Sequence, residues 1–505
     1  MYKQGMNGKV WRMLQLLYTN CSFCVRTGSS LSRWFESEQG ILQGAPYSML
    51  KYQLSNNELI VLLKESPDKL MLGNTNVSCP TFADDMTVMC LSKAALQRQL
   101  NRVYSYSCKW RYLYNPTKCK ILIFGKDNSP SKTLVLGAEP IEVVDGHEHV
   151  GTMLASNEKV VSEYMKKRTS ACKRPGHAIM AIGSKQAPIT PITASKLYWS
   201  VCISRLCYGL EIMHINGEVM DTLESYHSEM AKVVQGLPEN CSNIGSIATV
   251  GWLPMSHFLD LMSLMFLWRL ITKPASCLYM QILLYRFCCY TMHHGIHRGP
   301  LCRILNTCKK YDILFIVQNT LQGHGTMLTS EWSKIVKTRI WDNANLMYKA
   351  TLPLYKSLTN IKLGVASIGI HSWWKFTMKN PLYTKNCRCI MKMLLGTHGL
   401  KTSTYRFTSS NDVLCDNCEL YHPESIDHVL FECSQNRDTR ARLWQAIIEH
   451  CPPAMVKDLH QMSNRDKTRY FLNALYCDYT PEWNTVYVAL CQFMSTLYKD
   501  RLSLK

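Results

Sequence analysis

The sequence predicts an α+β fold: a mixed amino-terminal part, a helical middle and a small metal-binding module toward the carboxyl end. Three observations carry this. Residues 8–155 alternate short strand-like runs with helical ones, and from 159 to about 273 the apolar residues recur at helical spacing. Near the carboxyl end, four soft or borderline ligands fall in the spacing C-x2-C-x9-H-x4-C.

In chain order, a helix is expected over 9–18, an alternating strand over 21–27, a polar turn at Gly28 and a strand near 33–37. Gly40 to Leu50 is a glycine-proline turn running into a helix. Residues 79–90 read as strand, tight turn, strand, with Asp84 and Asp85 at the tip. Asn115-Pro-Thr-Lys118 precedes an apolar strand over 121–124, and His149 to Leu154 follows. The helical part is punctuated by Pro188, Pro191, Gly236 and Pro238. Its most apolar run, 257–271, is interrupted by Asp260 and Arg269 and falls short of the roughly 20 residues a membrane span needs, so a buried helix is expected. Residues 274–323 carry cysteines and histidines without a clear period, 331–350 is an amphipathic helix, and a compact module begins at 381.

The chain has 505 residues, 57 basic against 37 acidic, for a formal net charge of +20. That balance favours a polyanionic partner through counterion release, nucleic acid first among them. No charged-then-apolar leader opens the sequence, so an intracellular location, nuclear or cytoplasmic, is expected, with no membrane partner. The 23 cysteines then read as reduced thiols, either buried or metal-bound.

Adjacent carboxylates exposed at a hairpin tip suit hard divalent cations. Asp-Asp is equally ordinary turn chemistry, because Asp bonds its own backbone and tolerates strained dihedrals. Cys415, Cys418, His428 and Cys433 suit a closed, structural tetrahedral Zn²⁺ site, with a short helix over 424–432 presenting His428 and with His422 a rival third ligand. Cys21-x-x-Cys24 has no local partner and reads as core packing, and His293-His-Gly-Ile-His297 as a polar loop. Helical spacing puts part of the run Lys166, Lys167, Arg168, Lys173 and Arg174 on a face that tracks phosphates, the alternative being a solvated charged face.

Four fragments taken together resemble the palm of reverse transcriptases. Gln43-Gly44-x-Pro46-x-Ser48 is similar to the template and nucleotide motif, although Met49 stands where proline often follows the serine, and Phe82-Ala-Asp84-Asp85 is similar to the metal-binding box. Asn115 to Lys118 resembles the next motif, whose lysine is a candidate proton donor to pyrophosphate, and Val150-Gly151 the primer-grip hairpin. Lys196-Leu-Tyr-Trp, Ile203 to Glu211, and Leu223-Glu224 with His227 resemble the helical thumb of non-LTR (LINE-type) enzymes. Met393 to Gly399, Tyr405-Arg-Phe407, the cysteine and histidine set, Arg440, Arg442 and Trp444 resemble their zinc-binding tail.

The resemblance implies a partial right-hand polymerase palm over 1–155, a helical thumb-like domain over 156–273, a mostly helical connecting region over 274–380, and a zinc-binding module with a helical tail over 381–505. It implies an RNA-directed DNA polymerase using two Mg²⁺ ions, with an RNA template and a DNA primer as partners and, in an intact element, an endonuclease region encoded upstream. By this analogy Asp84, Asp85 and Lys118 are catalytic, Gln43, Gly44 and Pro46 bind substrate, and the five basic residues touch nucleic acid. The family's third aspartate precedes the Gln-Gly motif, whereas no aspartate here precedes Asp68. The expectation is therefore an N-terminally truncated reverse transcriptase, inactive as an isolated chain. The alternative is a catalytically dead retroelement relic that binds RNA or DNA through its basic surface and zinc module.

Overall fold

Helical apolar spacing organises the amino-terminal region around three helices: α1 (Gly8–Tyr18), α2 (Ser48–Glu65) and α3 (Lys93–Lys109). The computed structural model describes residues 2, 5–36, 40–41, 44–45, 47–125, 133–180, 189–213, 215–292, 299–323, 327–361, 369–404, 412–419, 421–474 and 483–503. The chain divides into two compact units, one made of 1–157 with 274–289, the other of 158–273 with 290–505.

In the first unit, Ser92 caps α3 by accepting from the backbone N–H of Ala95, satisfying one of the donors a helix start leaves open. One face of α3 (Val103, Tyr106) then meets Leu59 and Leu63 of α2 in a core completed by Cys79, Ile121, Leu134, Leu136 and Ile141. Burying each such leucine or isoleucine contributes on the order of 1.5–3 kcal/mol. Strands are short and pair only two by two among the described residues. Ser22–Phe23 pairs with Phe35–Glu36, Arg26–Thr27 with Ser30–Leu31, and Thr81–Phe82 with Asp85–Met86. Gly146–His149 pairs with Thr152–Ala155, and Lys120–Ile121 lies parallel to Glu142–Val143.

The expected helix over 9–18 and the hairpins at 79–90 and 149–154 are present, and the strand expected over 21–27 is broken into two pieces that pair with different partners. The strand expected over 121–124 pairs only at Lys120–Ile121, and Phe124 is exposed instead of paired. Cys21 and Cys24 are half-buried, not core residues: they flank a strand only two residues long, too short to carry both into a core. The 293–297 histidines and residues 405–407 lie outside the described residues.

The second unit is helical. Its long α4 (Glu158–Met180) contains Pro175, and helices Gly217–Gln235, Asn243–Val250 and Met255–Ile271 follow. The apolar run expected to be a core helix buries Met255, Leu259, Leu264, Leu267 and Trp268. Its N-terminus is capped by the Glu224 carboxylate, which accepts from the N–H groups of Met255 (3.2 Å) and Ser256 (2.9 Å). Residues 278–292, 300–310 and 314–321, which showed no clear period in the sequence, are helices. No single helix among the described residues is long and apolar enough to cross a membrane.

Tyr198 stacks on Trp252 with ring centroids 4.5 Å apart, and His227 packs against both. His227 Nε2–H donates to the Leu253 carbonyl (3.0 Å), so Nδ1 accepts from the Tyr198 hydroxyl (2.9 Å). Burial pushes the His227 pKa down to about 4. The unfolded chain protonates this ring near its ordinary value of about 6.5, whereas the folded chain resists, so stability is full above that pH and falls as pH drops toward 4. The contribution lost is up to about 3 kcal/mol at about 1.4 kcal/mol per pH unit. Urea denaturation of a His227→Phe variant should show lower stability at pH 7, because Tyr198 and Leu253 lose a partner, but a shallower decline between pH 6.5 and 4 than the unsubstituted chain.

Candidate active site and metal centre

The 78–89 hairpin is built from its base upward. Buried Cys79 anchors one strand, and Met86 and Val88 of the other pack against the α2–α3 core. Backbone bonds from Thr87 N–H to the Pro80 carbonyl (3.0 Å) and from Met89 N–H to the Ser78 carbonyl (2.8 Å) extend the pairing below Phe82 and Asp85. Because strand side chains alternate, burying Met86 turns Asp85 outward. The two-residue turn is Ala83-Asp84, with Ala83 at φ 55°. Both carboxylates are therefore exposed, consecutive in sequence but one on the turn and one on the strand. Tyr52 of α2 lies within electrostatic reach: its hydroxyl pKa is raised first by burial, then by Tyr112 and by Asp84.

A second hairpin docks on the first. Gly146–His149 and Thr152–Ala155 are joined by Val150-Gly151, both with positive φ (49° and 73°), the combination of a type I′ turn. A β-branched residue is strained in the left-handed region, at roughly 1–2 kcal/mol. His149 Nε2 lies 3.3 Å from Thr87 Oγ1, joining this turn to the strand that carries Asp85.

Of the other expected site residues, Gly44 sits at φ 84° with open space where a Cβ would stand, and Gln43 and Pro46 lie outside the described residues. Lys118 is exposed on an Asx turn, in which Asn115 Oδ1 accepts from the Thr117 N–H (3.0 Å) and hydroxyl (2.6 Å). Much of the basic run is engaged within the protein: Lys166 pairs with Glu218 (2.6 Å), Lys173 with Glu229 (2.7 Å), and Arg168 donates to the carbonyls of Arg205 and Tyr208. Lys167 and Arg174 are exposed on the same helix. Helical spacing in the sequence placed part of this run on one face but gave no sign of Glu218 and Glu229, which lie more than fifty residues away along the chain.

The ligand atoms of Cys415, Cys418, His428 and Cys433 all lie within 4.8 Å of one another. Cys415, His428 and Cys433 are buried, and Cys418 is half-buried. Tetrahedral Zn²⁺ with ligands at about 2.0–2.3 Å calls for donor atoms spaced on the order of 3.5–4 Å, which this set approaches. Backbone bonds from the Cys415 N–H to the His422 carbonyl (2.9 Å) and from the Glu424 N–H to the Val413 carbonyl (2.7 Å) form a hairpin that presents the first cysteine pair. The expected helix over 424–432 begins only at 426, and its second part, His428–Glu432, is a single π-helical turn ending just before Cys433. His428 Nε2 faces Cys418 Sγ at 3.3 Å, and its Nδ1 lies 3.4 Å from Glu432 Oε2, the oxygen that also meets His422 Nδ1 at 3.4 Å. His422 is therefore placed beside Glu432, outside the cysteine set, in a second group of potential ligands formed with His428 and Glu432. Sequence reasoning missed Glu432, one helical turn beyond the ligand histidine; the spacing H-x3-E was the available signal.

A thiol-rich, closed donor set of this kind should take one soft divalent ion per chain. Cobalt(II) titration of metal-stripped protein is expected to saturate at one equivalent with thiolate charge-transfer absorption. Cys433→Ser should weaken the affinity by more than about tenfold, since altering even an outer partner of a metal ligand costs that much.

No curated protein sequence matches the chain. Residues 6–154, the span holding both docked hairpins, Gly44 and Lys118, match the family model of reverse transcriptase (RNA-dependent DNA polymerase).

Proposed function

We propose that this chain is a reverse transcriptase-type protein of a non-LTR (LINE-type) retroelement that, as this polypeptide alone, binds RNA or DNA without extending a primer. The observation that carries the reading is the pair Asp84 and Asp85, raised on a tight hairpin whose strand is tied through Thr87 to the His149 turn, inside the span that matches the reverse transcriptase family. In such a site Asp84 and Asp85 would hold Mg²⁺, which supplies activation of the attacking hydroxyl and charge neutralisation at the leaving pyrophosphate. Lys118 would donate a proton to that leaving group, and Gln43, Gly44 and Pro46 would border the incoming nucleotide.

Holding two ions would call for a third ligand beside this pair. Among the described residues no third carboxylate, histidine or cysteine stands with Asp84 and Asp85 as a ligand group, and no aspartate precedes Asp68 in the sequence. Asp68 is occupied elsewhere, accepting from Arg98 and Arg102, whose bonds hold its pKa down to about 2. Loss of one charge-stabilising partner typically costs several kcal/mol of barrier. Binding does not share this dependence. The net charge of +20 and the exposed Lys167 and Arg174 favour phosphate contact, and a zinc-organised tail with exposed Arg442 would add to it, Arg440 being engaged by the Cys433 carbonyl.

Filter binding of single-stranded RNA between about 50 and 200 mM salt tests the binding role. Affinity should fall log-linearly with salt, and Lys167→Ala with Arg174→Ala should reduce the slope by about one for each phosphate no longer neutralised. Affinity independent of salt would contradict the reading.

A further inference from the structure

On α1, Trp11, Leu14 and Tyr18 form a stripe at helical spacing and face Lys51, Leu54, Ser55 and Glu58, a matching stripe on α2. Between them lies a cavity of about 1050 Å³, bordered on a third side by Lys109 and Trp110 at the end of α3. That volume is on the scale of a small-molecule site, and the walls are largely aromatic and aliphatic.

The decisive residue is Lys51. It is 7% exposed, and its ammonium stands 3.7 Å from the centre of the Tyr18 ring and 4.4 Å from that of Tyr47. No carboxylate pairs with it among the described residues. Glu58, the one acid on the wall among the described residues, lies 3.6 Å from Lys109 instead. The two ring faces offset part of the cost of withdrawing the ammonium from water. An anion beside Lys51 would offset the remainder.

We propose that this cavity binds a small amphipathic organic anion: a ring system or short acyl chain bearing one carboxylate or sulfonate. The anionic group would meet Lys51, and the apolar body would lie among Trp11, Leu14, Leu54 and Trp110. A nucleic-acid strand fits less well, because it needs a row of cations along its backbone, and among the described residues Glu58 balances the other cation on the wall, Lys109.

The test is fluorescence titration of the full chain with anilinonaphthalene sulfonate. One saturable site is expected, displaced by decanoate at roughly tenfold lower concentration than by decanol, a selectivity of the size one charge contact gives. Lys51→Met should lose this dye while retaining the neutral N-phenylnaphthylamine, and Lys51→Arg should keep both. The decanoate comparison requires no variant and so stands even if a substitution disturbs folding. The proposal is overturned by absence of saturable dye binding, by equal displacement with decanol, by undiminished dye binding in Lys51→Met, or by displacement with single-stranded RNA but not with decanoate.

Discussion

The packing of Leu59 and Leu63 on α2 against Val103 and Tyr106 on α3 is the contact on which the amino-terminal unit depends. Cys79, Met86 and Val88 join that core, so the hairpin carrying Asp84 and Asp85 is aimed by apolar burial, not by its own two-residue strands. A two-stranded ribbon is marginal alone in water. What holds it in place here is the core beneath it and the contact between Thr87 and His149. The strained Val150 turn is supported by the same arrangement, since an unsupported hairpin would relax its φ.

The second unit solves a different problem, that of burying polar groups within helices. His227 is kept neutral and fully paired by Tyr198 and Leu253, Glu224 is spent on a helix start, and Gln235 donates to Ala231 and Ser246 while accepting from Thr249 and Trp374. Arg168 likewise serves carbonyl groups. The positive charge of α4 is therefore partly structural, and its share available to phosphate rests with residues such as Lys167 and Arg174.

Local chemistry was legible in the sequence; long-range pairing was not. The Asp84-Asp85 turn, a helix following the glycine-proline turn of 40–50 and the C-x2-C-x9-H-x4-C set could be read because each is specified by neighbours a few residues apart. The parallel pairing of Lys120–Ile121 with Glu142–Val143, the break in the 21–27 strand and the ion pairs of Lys166 and Lys173 depend on residues distant in the chain. No period of two or of 3.6 encodes them. The Lys51 cavity was hidden for the same reason: a lone lysine in a helix reads as solvent-facing until the rings of Tyr18 and Tyr47 close over it. Glu432 was passed over because its role exists only relative to the folded position of His428.

The proposed function turns on whether Asp84 and Asp85 suffice alone to hold the catalytic ions. Primer extension on an RNA template with Mg²⁺, run beside Asp84→Ala, tests it most directly. The account predicts no extension by either protein, with salt-sensitive RNA binding retained by both. Extension by the unsubstituted chain that Asp84→Ala abolishes would show that the polypeptide supplies a complete metal site, and the account would be contradicted.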